Sequence, residues 1–269
     1  WETLNSEDSF SLIDSDYTGS ADFDLIDLEG DGQLEIVVGF GDNLYPEIKL
    51  FRGDGSIVRS FHPYPIGFTG GLSVVAYDLD NDNKEEIIVA PKAGGGPQVR
   101  IFDTYGNPKF VPSFFAADKD YRLGLDLAVG DINNDGTVEI LVSGIKDDHG
   151  FIKYFNKYGQ EIFNEIKVDL QDTYEAPKIA AIDLGSDGIS EIIVGLGSGN
   201  KPLVKLLRQD GSVIAEFLAY AESFLGGVNF AVTKDRQENL IVTGASFSGG
   251  PHVRFISSYG HIRKAPAFF

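Results

Sequence analysis

Oxygen-bearing side chains recur in short acidic segments of this sequence at a spacing that suits a hard metal ion. In the first segment, Asp27, Glu29, Asp31 and Glu35 stand at positions 1, 3, 5 and 9, and Gly32 stands at position 6. Alternate side chains of a curled, extended segment point the same way, and glycine permits the sharp turn between them. Ca²⁺ binds six to eight oxygen ligands held by such a turn. The segment is therefore a candidate calcium loop.

Three further segments repeat this pattern, and the last of them lacks the ligand at position 3. We predict that position 7 contributes its backbone carbonyl oxygen. The predicted ligands are Asp27, Glu29, Asp31, Gln33 and Glu35; Asp78, Asp80, Asp82, Lys84 and Glu86; Asp131, Asn133, Asp135, Thr137 and Glu139; and Asp183, Asp187, Ile189 and Glu191. A fifth copy, before Leu240, keeps only Thr233, Asp235 and Asn239 as possible oxygens. The sequence thus predicts three calcium sites, an incomplete fourth and a lost fifth.

Each acidic segment leads into a short apolar, β-branched run such as Ile36-Val37-Val38, which favours a strand. An EF-hand would carry its last Glu at position 12, where this sequence has Val38. The first residues of the four loops, 27, 78, 131 and 183, lie 51, 53 and 52 positions apart. This regular period indicates stacked repeats in which the loops lie within β-hairpins.

Each repeat divides into four short strands, which we call A to D. In the second repeat they are predicted at 71–77, 86–90, 98–103 and 109–117, with the acidic loop between A and B. A glycine marks the turn between C and D in every copy, at Gly55, Gly106, Gly159, Gly211 and Gly260, as tight hairpins require. Four-stranded meanders at this period predict an all-β fold, a β-propeller of four-stranded antiparallel blades. Residues 1–269 would form a single domain of five repeats, each of about 52 residues.

The chain resembles the FG-GAP or VCBS-type repeat over nearly its whole length. The matching features are the Asp-x-Asp/Asn-x-Asp-Gly-x-x-Glu loops with their Ile/Val strands, and the segment Gly94 to Phe102, repeated at 249–255. The resemblance implies a calcium-binding propeller related in blade design to the integrin α head. The fourth and fifth loops depart from the family pattern.

Both ends of the sequence match strand D of the second repeat: residues 9–14 align with 113–118, and residues 267–269 match the same segment. We therefore favour a five-bladed ring in which the termini meet in one blade. The alternative is an excerpt from an array of six to eight blades. Because the sequence starts at Trp1 and contains no Met, we expect a processed or excised piece.

The formal net charge of −19 argues against nucleic acid as a partner, because phosphate binding needs a basic surface. No apolar run is long enough for a membrane span, so membrane insertion is not expected. The absence of Cys leaves the redox compartment open.

A basic residue occupies one register of strand C in every copy: Lys49, Arg100, Lys153, Lys205 and Arg254. It is either a charge partner for a neighbouring carboxylate or part of an anion-binding ring.

The B–C and D–A loops lie at the opposite end of each blade from the acidic loops, and those of the second and fifth repeats carry Gly70-Gly71 and Gly226-Gly227. Such loops leave room for a ligand to approach the backbone.

Three functions fit these features. The first is an extracellular or cell-surface binding or adhesion module, bacterial in origin, in which Ca²⁺ stiffens the blades and the opposite face binds a protein or glycan. The second is an architectural spacer within a larger surface protein. The third, a polysaccharide-active enzyme, lacks an identifiable catalytic acid and base, so we predict no catalytic residues, no organic cofactor and no enzymatic activity.

Overall fold

The computed structural model describes residues 19, 21–41, 45–172, 175–235, 238–246, 249, 252–257 and 260–264; of these, the side chains of residues 234, 235, 238 and 264 are not described. Within these ranges the protein has twenty β-strands and no helix. No helix in the described chain is therefore available to cross a membrane.

The strands form five separate four-stranded sheets, in each of which consecutive strands pair antiparallel. The first blade contains β1 (Ala21–Ile26), β2 (Glu35–Phe40), β3 (Glu47–Phe51) and β4 (Ile57–Phe61), and the second contains β5 (Leu72–Tyr77), β6 (Glu86–Pro91), β7 (Gln98–Phe102) and β8 (Phe114–Phe115). The third contains β9 (Asp126–Gly130), β10 (Glu139–Lys146), β11 (His149–Phe155) and β12 (Ile166–Asp169). The fourth contains β13 (Lys178–Ile182), β14 (Glu191–Gly195), β15 (Leu203–Leu207) and β16 (Val213–Leu218), and the fifth contains β17 (Val228–Asp235), β18 (Glu238–Ala245), β19 (Val253–Ser257) and β20 (Ile262–Lys264). The five four-stranded sheets confirm the predicted all-β architecture and the predicted number of blades.

Apolar side chains from successive blades form the cores between them. One core joins Ile48 and Leu50 of the first blade to Leu72 and Ile87 of the second, all at most 1% exposed. Similar clusters join the second blade to the third, the third to the fourth and the fourth to the fifth. The first strands of these successive blades lie side by side. Burial between sheets, not within a single sheet, therefore holds the array together.

The predicted closure of the ring falls outside the described part of the chain, because residues 9–14 and 267–269 do not belong to it. Within the described part, β1 and β17 share no contact comparable to those between successive first strands. Phe23 and Leu25 on β1 remain 66% and 49% exposed. Closure by the termini remains a prediction.

Carboxylates cap the innermost strands, which have no further strand to pair with. Asp22 and Asp24 accept hydrogen bonds from the N–H groups of Val74 (3.3 Å) and Ala76 (2.9 Å) in the next blade. Asp126 accepts one from Ile179 N–H at 2.9 Å. An unpaired backbone donor would be costly in this position. Part of the negative charge therefore serves the contacts between blades.

The predicted strand D of the second blade, 109–117, is much shorter in the structure, where only Phe114 and Phe115 form β8. Pro112 interrupts this segment because proline lacks the N–H that a ladder needs. Phe110, two residues earlier, has a left-handed φ of 57°. This irregular segment positions Lys109, whose contacts are described below.

Four of the five basic residues of strand C, Lys49, Arg100, Lys153 and Arg254, contact neighbouring parts of the blades. Lys49 and Lys153 pair with Glu47 (3.4 Å) and Glu161 (3.1 Å), as a charge partner would. Arg100 and Arg254 instead donate to backbone carbonyls of the preceding blade, those of Pro63 and Ala219. These contacts support the structural interpretation over an anion-binding ring, although the arginines pair with carbonyls and not with carboxylates.

Candidate metal centre

The four acidic loops connect the first and second strands of blades one to four and therefore lie at one end of the array. The first Asp of each loop organises the turn, because its two carboxylate oxygens accept backbone N–H groups from later positions. Asp27 accepts from Gly30 (2.7 Å) and Gly32 (2.9 Å), and Asp131 accepts from Asn134 (2.6 Å) and Gly136 (2.9 Å). Asp78 and Asp183 bond to Asn83 and Gly188 in the same way. The loops are thus prefolded by their own acids.

The acid at position 5 binds the N–H of position 7, which directs the chain around the turn. The pairs are Asp31 with Gln33, Asp82 with Lys84 and Asp135 with Thr137, all at 2.8 Å, and Asp187 with Ile189 at 3.0 Å. This contact fixes the local backbone whose carbonyl at position 7 was predicted to be a ligand.

The Glu at position 9 is buried in the second and third loops and half-buried in the first and fourth. Its Oε2 accepts the N–H of position 2, at 3.1 Å in Glu35, 2.9 Å in Glu86, 3.0 Å in Glu139 and 2.8 Å in Glu191. Glu86 and Glu139 are only 1% and 2% exposed. Burial raises the pKa of Glu139 to about 7 and also raises the pKa values of Glu86 and Glu191. A nearby cation would compensate these buried carboxylates.

The second loop brings its predicted ligands together most closely. Carboxylate oxygens of Asp78, Asp80 and Glu86 lie within 4.8 Å of one another. Asp80 Oδ1 is buried and has no hydrogen-bond partner in the described structure. Three clustered carboxylates, one of which has an oxygen without a hydrogen-bond partner, suit a hard cation. This acidic cluster could hold a metal ion.

The other loops bring their predicted ligands together less completely. In the third loop, the Asn133 amide nitrogen faces Asp135 (3.0 Å) and Glu139 (3.3 Å), so the amide must rotate to present its oxygen to a metal. Glu29 of the first loop is exposed to solvent. The fourth loop has Gly185 at position 3.

The fifth copy has become a plain hairpin, in which β17 and β18 pair as far as Asp235 and Glu238. Leu240 opposes Thr233 in this ladder just as Glu35 opposes Ile26 in the first blade. Leu240 therefore occupies the position of the buried Glu, consistent with the predicted loss of this site. The sequence leaves Thr233, Asp235 and Asn239 as possible oxygens, but the Asn239 side chain has a different role.

Asn239 links the fifth blade to the fourth loop. Its amide nitrogen donates to the carbonyl oxygens of Asp183 (3.0 Å) and Leu184 (3.4 Å). The residue at the same position of two other blades makes an equivalent contact: Glu85 accepts Asp27 N–H at 2.8 Å, and Ser190 N–H donates to Asp131 O at 2.7 Å. In these three pairs of neighbouring blades, position 8 of one blade therefore contacts position 1 of the preceding loop.

We expect Asn239→Ala to lower the free energy of unfolding by about 1 kcal/mol, because two partly buried carbonyls lose their donor. For a chain of this size that lowers Tm by about 2–4 °C. Thermal and urea unfolding measure the effect. Asn164→Ala, at an exposed position, is the control and should leave stability unchanged. Equal stability of the two variants would show that Asn239 does not link the blades.

The glycine-rich loops at the opposite end are packed against each other. A Cβ atom on Gly70 would lie 1.9 Å from Ala93 O, and one on Gly227 would lie 2.6 Å from Ser198 N. These glycines allow close contact between loops of neighbouring segments. The sequence-based interpretation that they leave room for a ligand is therefore wrong at these two positions.

The five blades of four antiparallel strands define a β-propeller. The family of FG-GAP-like repeats matches the sequence at residues 27–89 and 78–142, which contain the first three acidic loops. The chain is therefore a β-propeller, and its residues 27–142 match FG-GAP-like repeats.

Solved structures show the same fold at low sequence identity. A protein of unknown function from Bacteroides caccae matches with a TM-score of 0.56 and 14% identity over 86% of this chain and 72% of that one. Rhamnogalacturonan lyase YesW matches with a TM-score of 0.52 and 14% identity over 91% of this chain and 50% of that one. The Dos1 propeller matches with a TM-score of 0.53 and 14% identity over 93% of this chain and 60% of that one. No curated protein sequence matches the chain.

Proposed function

We propose that this chain is a non-enzymatic, extracellular or cell-surface β-propeller that Ca²⁺ stabilises and that binds a protein or glycan. The acidic cluster of Asp78, Asp80 and Glu86 is the observation that supports a metal. Its ligands are all oxygens, which favours a hard cation such as Ca²⁺ over softer metals. Extracellular modules of this kind can use Ca²⁺ at the concentrations found outside cells, which supports that location.

The ligand would bind at the end opposite the acidic loops. A cleft of about 280 Å³ between the second and third blades is lined by Phe115, Asp118, Tyr121 and Lys146, among others. Phe115 is 57% exposed although it is a large apolar residue. An aromatic ring beside carboxylate and ammonium groups suits a sugar, which has apolar C–H faces and hydroxyl groups at its edge. We infer that this cleft is the binding site and that its ligand is a glycan segment.

The lyase among the similar structures does not extend this proposal to catalysis. At 14% identity the likeness concerns the fold, and this chain spans only half of that protein. The strongly acidic composition supports the further proposal that neither nucleic acid nor a lipid bilayer is a partner.

Glycan-array screening in Ca²⁺ tests the proposal, followed by titration of any glycan that binds. We expect Phe115→Ala to weaken binding roughly tenfold or more, because an exposed aromatic anchor of an interface is lost. Leu225→Ala is the matched control, since it removes a 51% exposed apolar residue from a D–A loop away from the cleft. Equal affinities of the two variants would place the glycan elsewhere, and binding to no glycan or protein would leave the architectural role.

A further inference from the structure

The second acidic loop differs from the others because a lysine of the same blade enters it. Lys109 Nζ lies 2.5 Å from Glu86 Oε1, 3.5 Å from Asp80 Oδ2 and 3.7 Å from Asp82 Oδ2. Two of these acids, Asp80 and Glu86, belong to the cluster that could hold a metal ion. The ammonium group therefore lies against two of the three carboxylate groups that a cation would use.

The contact is partly shielded from solvent. The Glu86 side chain is 1% exposed, and those of Asp80 and Lys109 are 24% and 25% exposed. The Lys109 ammonium also lies 5.1 Å from the centroid of the Phe110 ring, on which its stem can rest. Ion pairs shielded in this way are weakened less by salt than exposed pairs.

The corresponding positions of the other blades show that this lysine is not a general feature of the repeat. Lys109 N–H donates to Ile101 O at 2.9 Å, and Ile162 N–H makes the same bond to Tyr154 O at 3.0 Å in the third blade. By the same alignment of strands C and D, the first and fourth blades have Val58 and Ile214. Among the four acidic loops, only the second thus faces a cationic side chain from this position.

We propose that Lys109 is an internal competitor for the metal ion of the second loop. It neutralises part of the acidic cluster and so lets this blade fold without a metal, whereas a divalent ion must displace the ammonium group before it binds. The second loop then has the most complete ligand set but fills with Ca²⁺ only after the loops that lack such a lysine. This inference rests on the proposed binding of Ca²⁺ to the acidic loops.

Native mass spectrometry over a range of free Ca²⁺ concentrations tests the proposal. We expect Lys109→Ile, which installs the residue of the third and fourth blades, to bind one ion roughly tenfold to a hundredfold more tightly than the parent chain, because a unit charge a few ångströms away is removed. Lys109→Arg keeps the charge and should bind no more tightly than the parent.

Lys157→Ile controls for the general loss of positive charge at this end. Lys157 Nζ approaches the second loop at Leu79 O (3.4 Å), a backbone carbonyl, and not at the carboxylates. Unchanged affinity in Lys109→Ile, while other ions still bind, would overturn the proposal. Binding of no ion by any variant would instead contradict the proposed role of Ca²⁺.

A second measurement keeps the role of Lys109 testable in that last case. In the presence of a chelator, Lys109→Ile should lower Tm, and Asp80→Asn should lower Tm less in the Lys109→Ile background than in the parent. This double-mutant cycle reports the coupling between the ammonium and the carboxylate. Strictly additive shifts of Tm would show that Lys109 does not compensate the cluster.

Discussion

Calcium at a hundredfold excess over its dissociation constant is expected to stabilise the folded chain by about 2.7 kcal/mol for each site that fills, because the ion binds the folded loop and not the unfolded chain. For a chain of this length the increase in Tm is about 5–10 °C per site. Calorimetry or circular dichroism melting in Ca²⁺ and then in chelator measures it. Buried carboxylate oxygens are the physical basis, since Glu139 at position 9 of the third loop is 2% exposed and Asp80 Oδ1, at position 3 of the second loop, has no partner in the described structure.

The variant that sharpens this experiment is Asp131→Asn in the third loop. The amide oxygen that this substitution introduces can still accept a backbone N–H, but the side chain no longer carries the negative charge that a metal needs. The increase in Tm caused by Ca²⁺ should therefore be smaller by the contribution of one site. The comparison between the variant and the parent chain uses the increase in Tm caused by Ca²⁺ and not the Tm itself. Asp131 also accepts hydrogen bonds from Asn134 and Gly136, so the substitution can lower Tm without any metal. Asp120→Asn, at an exposed position outside the acidic loops, should keep the full increment. A Tm that responds to neither Ca²⁺ nor chelator would show that the acidic loops are metal-free turns.

Gly159→Ala is expected to lower the free energy of unfolding by about 3–4 kcal/mol. Two causes add: Gly159 has a φ of +73°, and a Cβ there would lie 2.5 Å from Phe114 Cβ of the preceding blade. The left-handed conformation costs an L-residue about 1–2 kcal/mol, and overpacking costs about 1–3 kcal/mol more. Urea unfolding of the purified variant measures the loss.

Gly94→Ala separates the two causes. Gly94 has a φ of +89°, and a Cβ added there would have no atom within 4 Å, so only the backbone cost applies, about 1–2 kcal/mol. The difference between the two variants is the contribution of the contact between blades. Equal losses in both variants would mean that the turn of the third blade does not pack tightly on Phe114.

The features that the sequence could predict lie within one repeat. The acidic loop, the apolar strand after it and the glycine of the C–D turn are local patterns, and the period of the loops indicated five such units. Local patterns also indicated which end of each blade carries the loops, because strand direction alternates along a meander. For the same reason the loss of the fifth site was evident from the missing acids before Leu240.

The error in strand D of the second blade also has a local cause. Its apolar residues suggested a strand over 109–117, but Pro112 breaks the ladder between Lys109, which still bonds to Ile101, and the two residues of β8. Pro112 was visible in the sequence, and its missing N–H group was the signal that could have shortened this prediction.

The repeat, the β-strands and the composition of each acidic loop were predictable from the sequence alone, because they depend on residues close together along the chain. The tertiary structure decided the partners between blades: Asp22 with Val74, 52 positions away, and Asn239 with Asp183, 56 positions away. It also placed Lys109 on the second loop and Phe114 against Gly159. Such contacts depend on how one sheet packs on the next, and no period or motif within a single repeat specifies them.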